Sequence, residues 1–125
     1  NLGTALRDLG KLDEAEAFGA KAVLLGRKAL TPGHWSLGVS LMHHGRTLTR
    51  MKRYAEAAQE LEESYAIFLP ALGADHRLTR DALTHLAACQ EAWHESEPNA
   101  GHEQKAAEWQ AKLEAITAKQ PATPE

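Results

Sequence analysis

Leu30-Thr31-Pro32-Gly33-His34 and, 42 residues further on, Leu72-Gly73-Ala74-Asp75-His76 reveal how this chain folds. The same shift of 42 pairs Leu41 with Leu83, His43 with His85, Gly3 with Gly45, Leu6 with Leu48, Glu14 with Glu56 and Ala15 with Ala57. A chain that matches itself at one fixed spacing is a stack of similar units, each burying its apolar face against the next. Such stacks build extended surfaces, which suit binding better than catalysis.

Between and around these joints the apolar period is helical. Tyr54, Ala57, Ala58, Leu61, Tyr65, Phe68, Leu69 and Leu72 fall at steps of three and four, the mark of one buried stripe on a long helix. Leu12, Ala15, Gly19, Ala22, Val23, Gly26 and Leu30 form the matching stripe one unit earlier. Leu37, Leu41, His44, Gly45 and Leu48 make another, as do Leu78, Ala82, Leu83, Leu86, Ala87 and Trp93. No stretch alternates with period two for long enough to form a strand. The pattern predicts helices over 1–9, 12–30, 34–50, 54–71, 76–94 and 102–119, with Gln120–Glu125 as a frayed tail.

Breaks separate these stripes. Gly10-Lys11 and Met51-Lys52-Arg53 read as tight turns within a unit, and Thr31-Pro32-Gly33 and Gly73-Ala74-Asp75 as joints between units. Pro32 does not continue a helix, Pro70 is expected to kink or shorten one, and Asp75 is an expected N-cap. The units are therefore 1–33, 34–75 and 76–119. On 102–119, Ala106, Trp109, Leu113 and Ile116 line one side, while Glu103, Gln104, Lys105, Glu108, Lys112, Glu114 and Lys119 form a polar back. One apolar stripe with a polar back is what a terminal capping helix needs.

The spacing Leu41-x2-His44-Gly45-x2-Leu48, then Ala57-x3-Leu61, resembles the tetratricopeptide pattern Trp-x2-Leu-Gly-x2-Tyr…Ala-x3-Phe. Leu2-Gly3-x2-Leu6 and Ala15 repeat it in the first unit. The small residues Gly3, Gly45 and Ala87 stand where the two helices of a unit approach closely. The period of 42 exceeds the usual 34. The surplus corresponds to about 12 Å of extra helix. The longer second helix and the Leu-Gly-Ala-Asp-His joint resemble the repeats of kinesin light chains and their bacterial relatives. Leu86-Ala87-Ala88-Cys89-Gln90-Glu91-Ala92-Trp93, with Lys105-Ala106-Ala107-Glu108-Trp109, resembles the last repeat of bacterial serine/threonine kinases that carry C-terminal arrays of this kind. His94–His102 lengthens the turn relative to that family, and no kinase motif is present. The resemblance implies an all-α, right-handed α-α superhelix of about three helix pairs, the last a capping unit. It further implies a cytoplasmic protein-interaction module within a larger bacterial protein.

In that family the first helix of each unit lines the concave face. The resemblance therefore implies a peptide-binding surface made of Asn1, Thr4, Asp8, Met42, His43, Arg46, Arg50, Asp81, Thr84, His85 and Ala88, with Arg7, Val39, Thr49 and Glu91 beside them. Asn1, His43 and His85 occupy the position that is commonly Asn in kinesin-light-chain repeats. Met42 reads equally as groove lining or core filler. His43, Arg46 and Arg50 lie a helical turn apart and suit a carboxylate or an acidic peptide. The expected partner is thus a protein or peptide. The alternative is a structural arm that self-associates through the N-terminal edge, where Leu2, Leu6 and Leu9 present apolar side chains.

Composition excludes other classes. The net charge of −3 lacks the basic excess of a nucleic-acid binder. No apolar run reaches the roughly 20 residues that span a membrane. Cys89 is the single cysteine, so no internal disulfide forms, and its helical neighbours mark it as a small buried residue. The seven histidines do not make a metal site: no His-x3-His or Glu-x2-His pair has a third ligand near it. His34 and His76 recur because the unit recurs, each at a helix start where end-of-helix hydrogen bonding accounts for it. No nucleophile motif is present, and neither a catalytic residue nor a cofactor is expected. Trp93 and Trp109 read as buried.

Overall fold

The computed structural model describes residues 11–29 and 33–119. Five helices follow one another: α1 (Leu12–Ala29), α2 (Trp35–Arg50), α3 (Tyr54–Leu72), α4 (Arg77–Ser96) and α5 (His102–Lys119). There is no strand among the described residues. Each helix packs on its neighbour in the chain, and α2 also packs directly on α4. This is the layout of a helical-repeat solenoid. The expected helix over 1–9 and the tail at 120–125, with Leu2, Leu6, Leu9 and Gly3, lie outside the described residues.

Helix starts are set by histidine. The Nδ1 of His34 accepts from the Ser36 amide at 3.0 Å, and that of His76 from the Leu78 amide at 3.0 Å. The two caps have nearly the same backbone, φ −65° and ψ 135° against φ −67° and ψ 143°. An acceptor there satisfies one of the amides that a first turn leaves without a partner. The cap of α4 is therefore His76 and not Asp75, because the His76 ring supplies the acceptor. Helix α3 is not shortened by Pro70; it runs on to Leu72, and the Gly73 amide closes it on the Leu69 carbonyl at 3.0 Å. Pro70 lies in the last turn and both it and Ala66 are exposed, so the carbonyl that loses its N–H partner can be hydrated. The turn after α2 closes through Lys52 at φ 65°, with the Arg53 amide bonded to the Leu48 carbonyl at 2.9 Å.

Within the second unit the helices meet at small residues. A Cβ placed on Gly45 would lie 2.7 Å from Leu61 Cγ, and one on Gly38 would lie 2.7 Å from Phe68 Cε1. The hydrogen side chain lets Leu61 and Phe68, both 0% exposed, press onto the α2 backbone. Ala57, also 0% exposed, completes that contact. The core continues through Leu41, Leu48, Ala82, Leu86 and Cys89 into the third unit. Cys89 is fully buried, and burial pushes its thiol pKa up, consistent with an inert packing residue.

The last helix is held by a polar and aromatic stack. His102 Nδ1 donates to the Oε1 of Gln90, itself 1% exposed, at 2.8 Å. The His102 ring lies on Trp93 with centroids 3.8 Å apart, and Trp93 stacks in turn near Tyr54 at 6.1 Å. Trp109 meets Tyr65 edge-on at 5.8 Å. Trp93 and Trp109 are partly buried, while Trp35 is 47% exposed. The outer side of α5 is exposed along Glu103, Gln104, Lys105, Glu108, Lys112 and Glu114.

Candidate functional site

The two described inner helices, α2 and α4, can be laid on each other by the 42-residue shift. Six positions are buried in both: Leu37/Thr79, Leu41/Leu83, His44/Leu86, Gly45/Ala87, Thr47/Cys89 and Leu48/Gln90. On the other side, Val39/Asp81, His43/His85, Arg46/Ala88, Thr49/Glu91 and Arg50/Ala92 remain partly or fully exposed in both. The two helices pack directly on each other. Outer helices α1 and α3 are joined differently, by long side chains: the Arg27 guanidinium grips the Glu63 carboxylate with two contacts of 2.8 Å.

His43, Arg46, Asp81 and His85 are partly exposed, and Arg50, Thr84 and Ala88 exposed, on α2 and α4. Met42 is a correction: it is 3% exposed and belongs to the core, so the groove does not include it. Its unbranched side chain fills space inside the stack, whereas its counterpart Thr84 is exposed. The hydroxyl of Thr84 already donates to the Arg80 carbonyl at 3.1 Å, and that of Thr49 to the Gly45 carbonyl at 2.9 Å. Both threonines thus offer a ligand an acceptor and a methyl group rather than a free donor. His43, Arg50 and His85 are each engaged in contacts within the chain. Asn1, Thr4, Arg7 and Asp8 lie outside the described residues.

Beneath this face lies a cluster that the sequence did not disclose. His44, 6% exposed, stands between two carboxylates: Nδ1 is 2.6 Å from Glu60 Oε1 on α3, and Nε2 is 3.0 Å from Glu16 Oε2 on α1. A neutral imidazole has only one N–H, so donating to both carboxylates requires the imidazolium. Burial opposes that charge and is the largest single influence. The hydrogen bonds and charges of Glu60 and Glu16 together outweigh it, and the His44 pKa stands above its ordinary value. Arg53 closes the cluster, 3.9 Å from Glu16 and bound to Glu56 at 2.7 Å. Gly19 makes the approach feasible, since a Cβ there would lie 2.8 Å from His44 Cδ2. The only sequence signal was a polar residue on an apolar stripe, which demands a buried partner without naming it.

Among the described residues no group of three His, Cys, Asp or Glu is placed to hold a metal ion. No helix among them is long and apolar enough to cross a membrane.

A short all-α solenoid with paired helices and an exposed inner face defines a helical-repeat protein. Residues 1–69 match the tetratricopeptide repeat model, and the chain belongs to that family. Two solved structures resemble it. One is a crystal structure of the nearly identical TPR-like repeats of a Podosopora anserina protein assigned as a kinesin light chain. It is 25% identical, with a TM-score of 0.82 over 98% of this chain and 56% of that one. A single-substitution variant of the same repeats gives 26% identity and a TM-score of 0.75 over 94% of this chain and 52% of that one. The chain thus spans about half the length of the solved chains it matches. No curated protein matches it. The kinesin-light-chain type of repeat inferred from the 42-residue period is accordingly the one these structures share.

Proposed function

We propose that the inner face of α2 and α4 binds a protein or peptide segment, and that binding is its whole mechanism, without cofactor or catalysis. Repeats of this family generally mediate protein–protein interaction. The observation that carries the reading is the contrast between the two helices across the 42-residue shift. Six positions stay buried in both units, whereas accessible positions other than His43/His85 change chemistry from unit to unit: Arg46 against Ala88, Val39 against Asp81, Thr49 against Glu91. An accessible surface that varies at equivalent places suits a ligand with a different side chain opposite each unit. Arg46 and Arg50, one turn apart, direct an acidic stretch of the ligand to the second unit. The resemblance of Leu86–Trp93 and Lys105–Trp109 to a terminal kinase-array repeat supports a place near the C-terminus of a larger, cytoplasmic bacterial protein.

The test is a labelled glutamate-rich peptide titrated against the chain and against Arg46→Glu/Arg50→Glu. Binding should weaken at least about tenfold, which corresponds to about 1.4 kcal/mol, while the circular dichroism is unchanged. Equal affinity in the two proteins would remove this face from the ligand's path.

A further inference from the structure

A pocket opens at the head of α2, where the second and third units join. Among the described residues it is walled by Trp35, Leu72, His76 and Leu78, holds about 230 Å³ and is lined almost entirely by apolar atoms. Trp35 is 47% exposed, although tryptophan side chains usually bury most of their surface. Two cap bonds hold the walls in place. The His76 ring is fixed by its bond to the Leu78 amide. The Trp35 indole stacks at 5.9 Å on His34, whose ring is fixed by its bond to the Ser36 amide. The openness belongs to this joint. One unit later the counterpart of Trp35 is Arg77, which is exposed although α2 and α3 precede it.

The pocket continues the accessible side of α2. Trp35, Val39, His43, Arg46 and Arg50 follow at steps of four, four, three and four, one line along the helix, and all are partly or fully exposed. That line is apolar at its start and basic at its end. We propose that the segment bound by this face places one apolar side chain in the pocket and carboxylates, about six and about eight residues away in its own sequence, against Arg46 and Arg50. The inference rests on the inner-face reading and adds the register of the ligand to it. Trp35 and Arg46 are about 16 Å apart along the helix axis. Like charges spaced closely disfavour a helix, so the acidic segment lies extended and advances about 3.3 Å per residue. Its side chains alternate between two sides, so an anchor and acids that all face α2 are an even number of residues apart. Four residues reach only about 13 Å and six reach about 20 Å, so six is the first spacing that spans the distance. The next acid on that side lies about 7 Å further on, which matches Arg50, about 6 Å beyond Arg46.

Fluorescence anisotropy tests it, with a labelled alanine–serine peptide that carries one leucine and, about six and about eight residues further on, two glutamates. Replacing the leucine by serine should weaken binding to the chain about tenfold, or about 1.4 kcal/mol. The same replacement should make no difference to Trp35→Gln, which should bind the leucine peptide as weakly as the chain binds the serine one. Trp35 is exposed, so this variant should keep its helicity and melting temperature. Moving the leucine by one residue turns it to the other side of the segment and should cost as much as removing it. A leucine that adds nothing, while the acids still respond to Arg46→Glu/Arg50→Glu, overturns the pocket and leaves the inner-face reading standing. An equal loss in the chain and in Trp35→Gln seats the leucine elsewhere and overturns it too. No binding by any of these peptides up to millimolar concentration overturns both.

Discussion

Gly45 shows how one residue fixes a helix pair. Leu61 and Ala57 press on it so closely that even a methyl group has no room. Its counterpart one unit later is Ala87, buried at 3%, so the third unit accepts the methyl that the second refuses. Gly45→Ala should therefore cost about 1–3 kcal/mol through displacement of Leu61, despite the gain in helix propensity. Urea unfolding checks this, and an unchanged midpoint would mean that the two helices part without cost. The histidine caps belong to the same scale. The reading of His34 and His76 as helix-end residues holds, whereas the choice of Asp75 as a cap does not, since only the geometry shows which of two neighbouring side chains reaches the amide.

At the scale of elements, two histidines join helices. His44 links α1, α2 and α3 through Glu16 and Glu60, with Arg53, Glu56 and the Arg27–Glu63 pair as the nearby charges. Its pKa is higher in the folded chain than the roughly 6.5 of an unfolded histidine. The bridge therefore contributes its full stabilisation below about pH 6.5 and loses it as the pH rises through the folded value. Melting temperatures measured from pH 6 to pH 9 should fall in the parent. In His44→Leu, which copies Leu86 of the next unit, they should stay level over that range. Parallel curves would show that His44 does not carry the charge. His102 does similar work for the last helix. His102→Ala leaves the buried Gln90 carbonyl without its donor and should cost about 1–3 kcal/mol. Loss of α5 protection in hydrogen exchange before that of α2 and α3 would locate the damage, and uniform protection would refute it.

On the scale of the whole molecule, the 42-residue shift puts His43 and His85 at equivalent, partly exposed places on α2 and α4, on the face proposed to bind. If an acidic peptide lies along that face, charging of these rings strengthens its binding as pH falls from 8 to 6. The His43→Asn/His85→Asn variant should bind with little pH dependence. His44 titrates beneath the same face, so the parent should also be compared with His44→Leu. Equal pH slopes in the parent and the double asparagine variant would place the dependence outside these two rings.

The repeat, its period, the order and approximate bounds of the described helices, and the burial of Leu41, Ala57, Leu83 and Cys89 all follow from the order of amino acids alone. Each of these is local or periodic information, and helical periodicity converts it directly into buried and exposed sides. The small residue at the crossing of two helices was legible for the same reason, as Gly45 and Ala87 occur at the same place in successive units. Packing in three dimensions was needed to assign Met42 to the core and Thr84 to the surface, since equivalent positions on α2 and α4 have different neighbours. It was needed again to join Glu16, His44 and Glu60, which stand 28 and 16 residues apart and follow no repeat. Pairing between distant polar residues depends on which sides of three separate helices face one another, and a chain with a single polar residue on an apolar stripe does not carry that information.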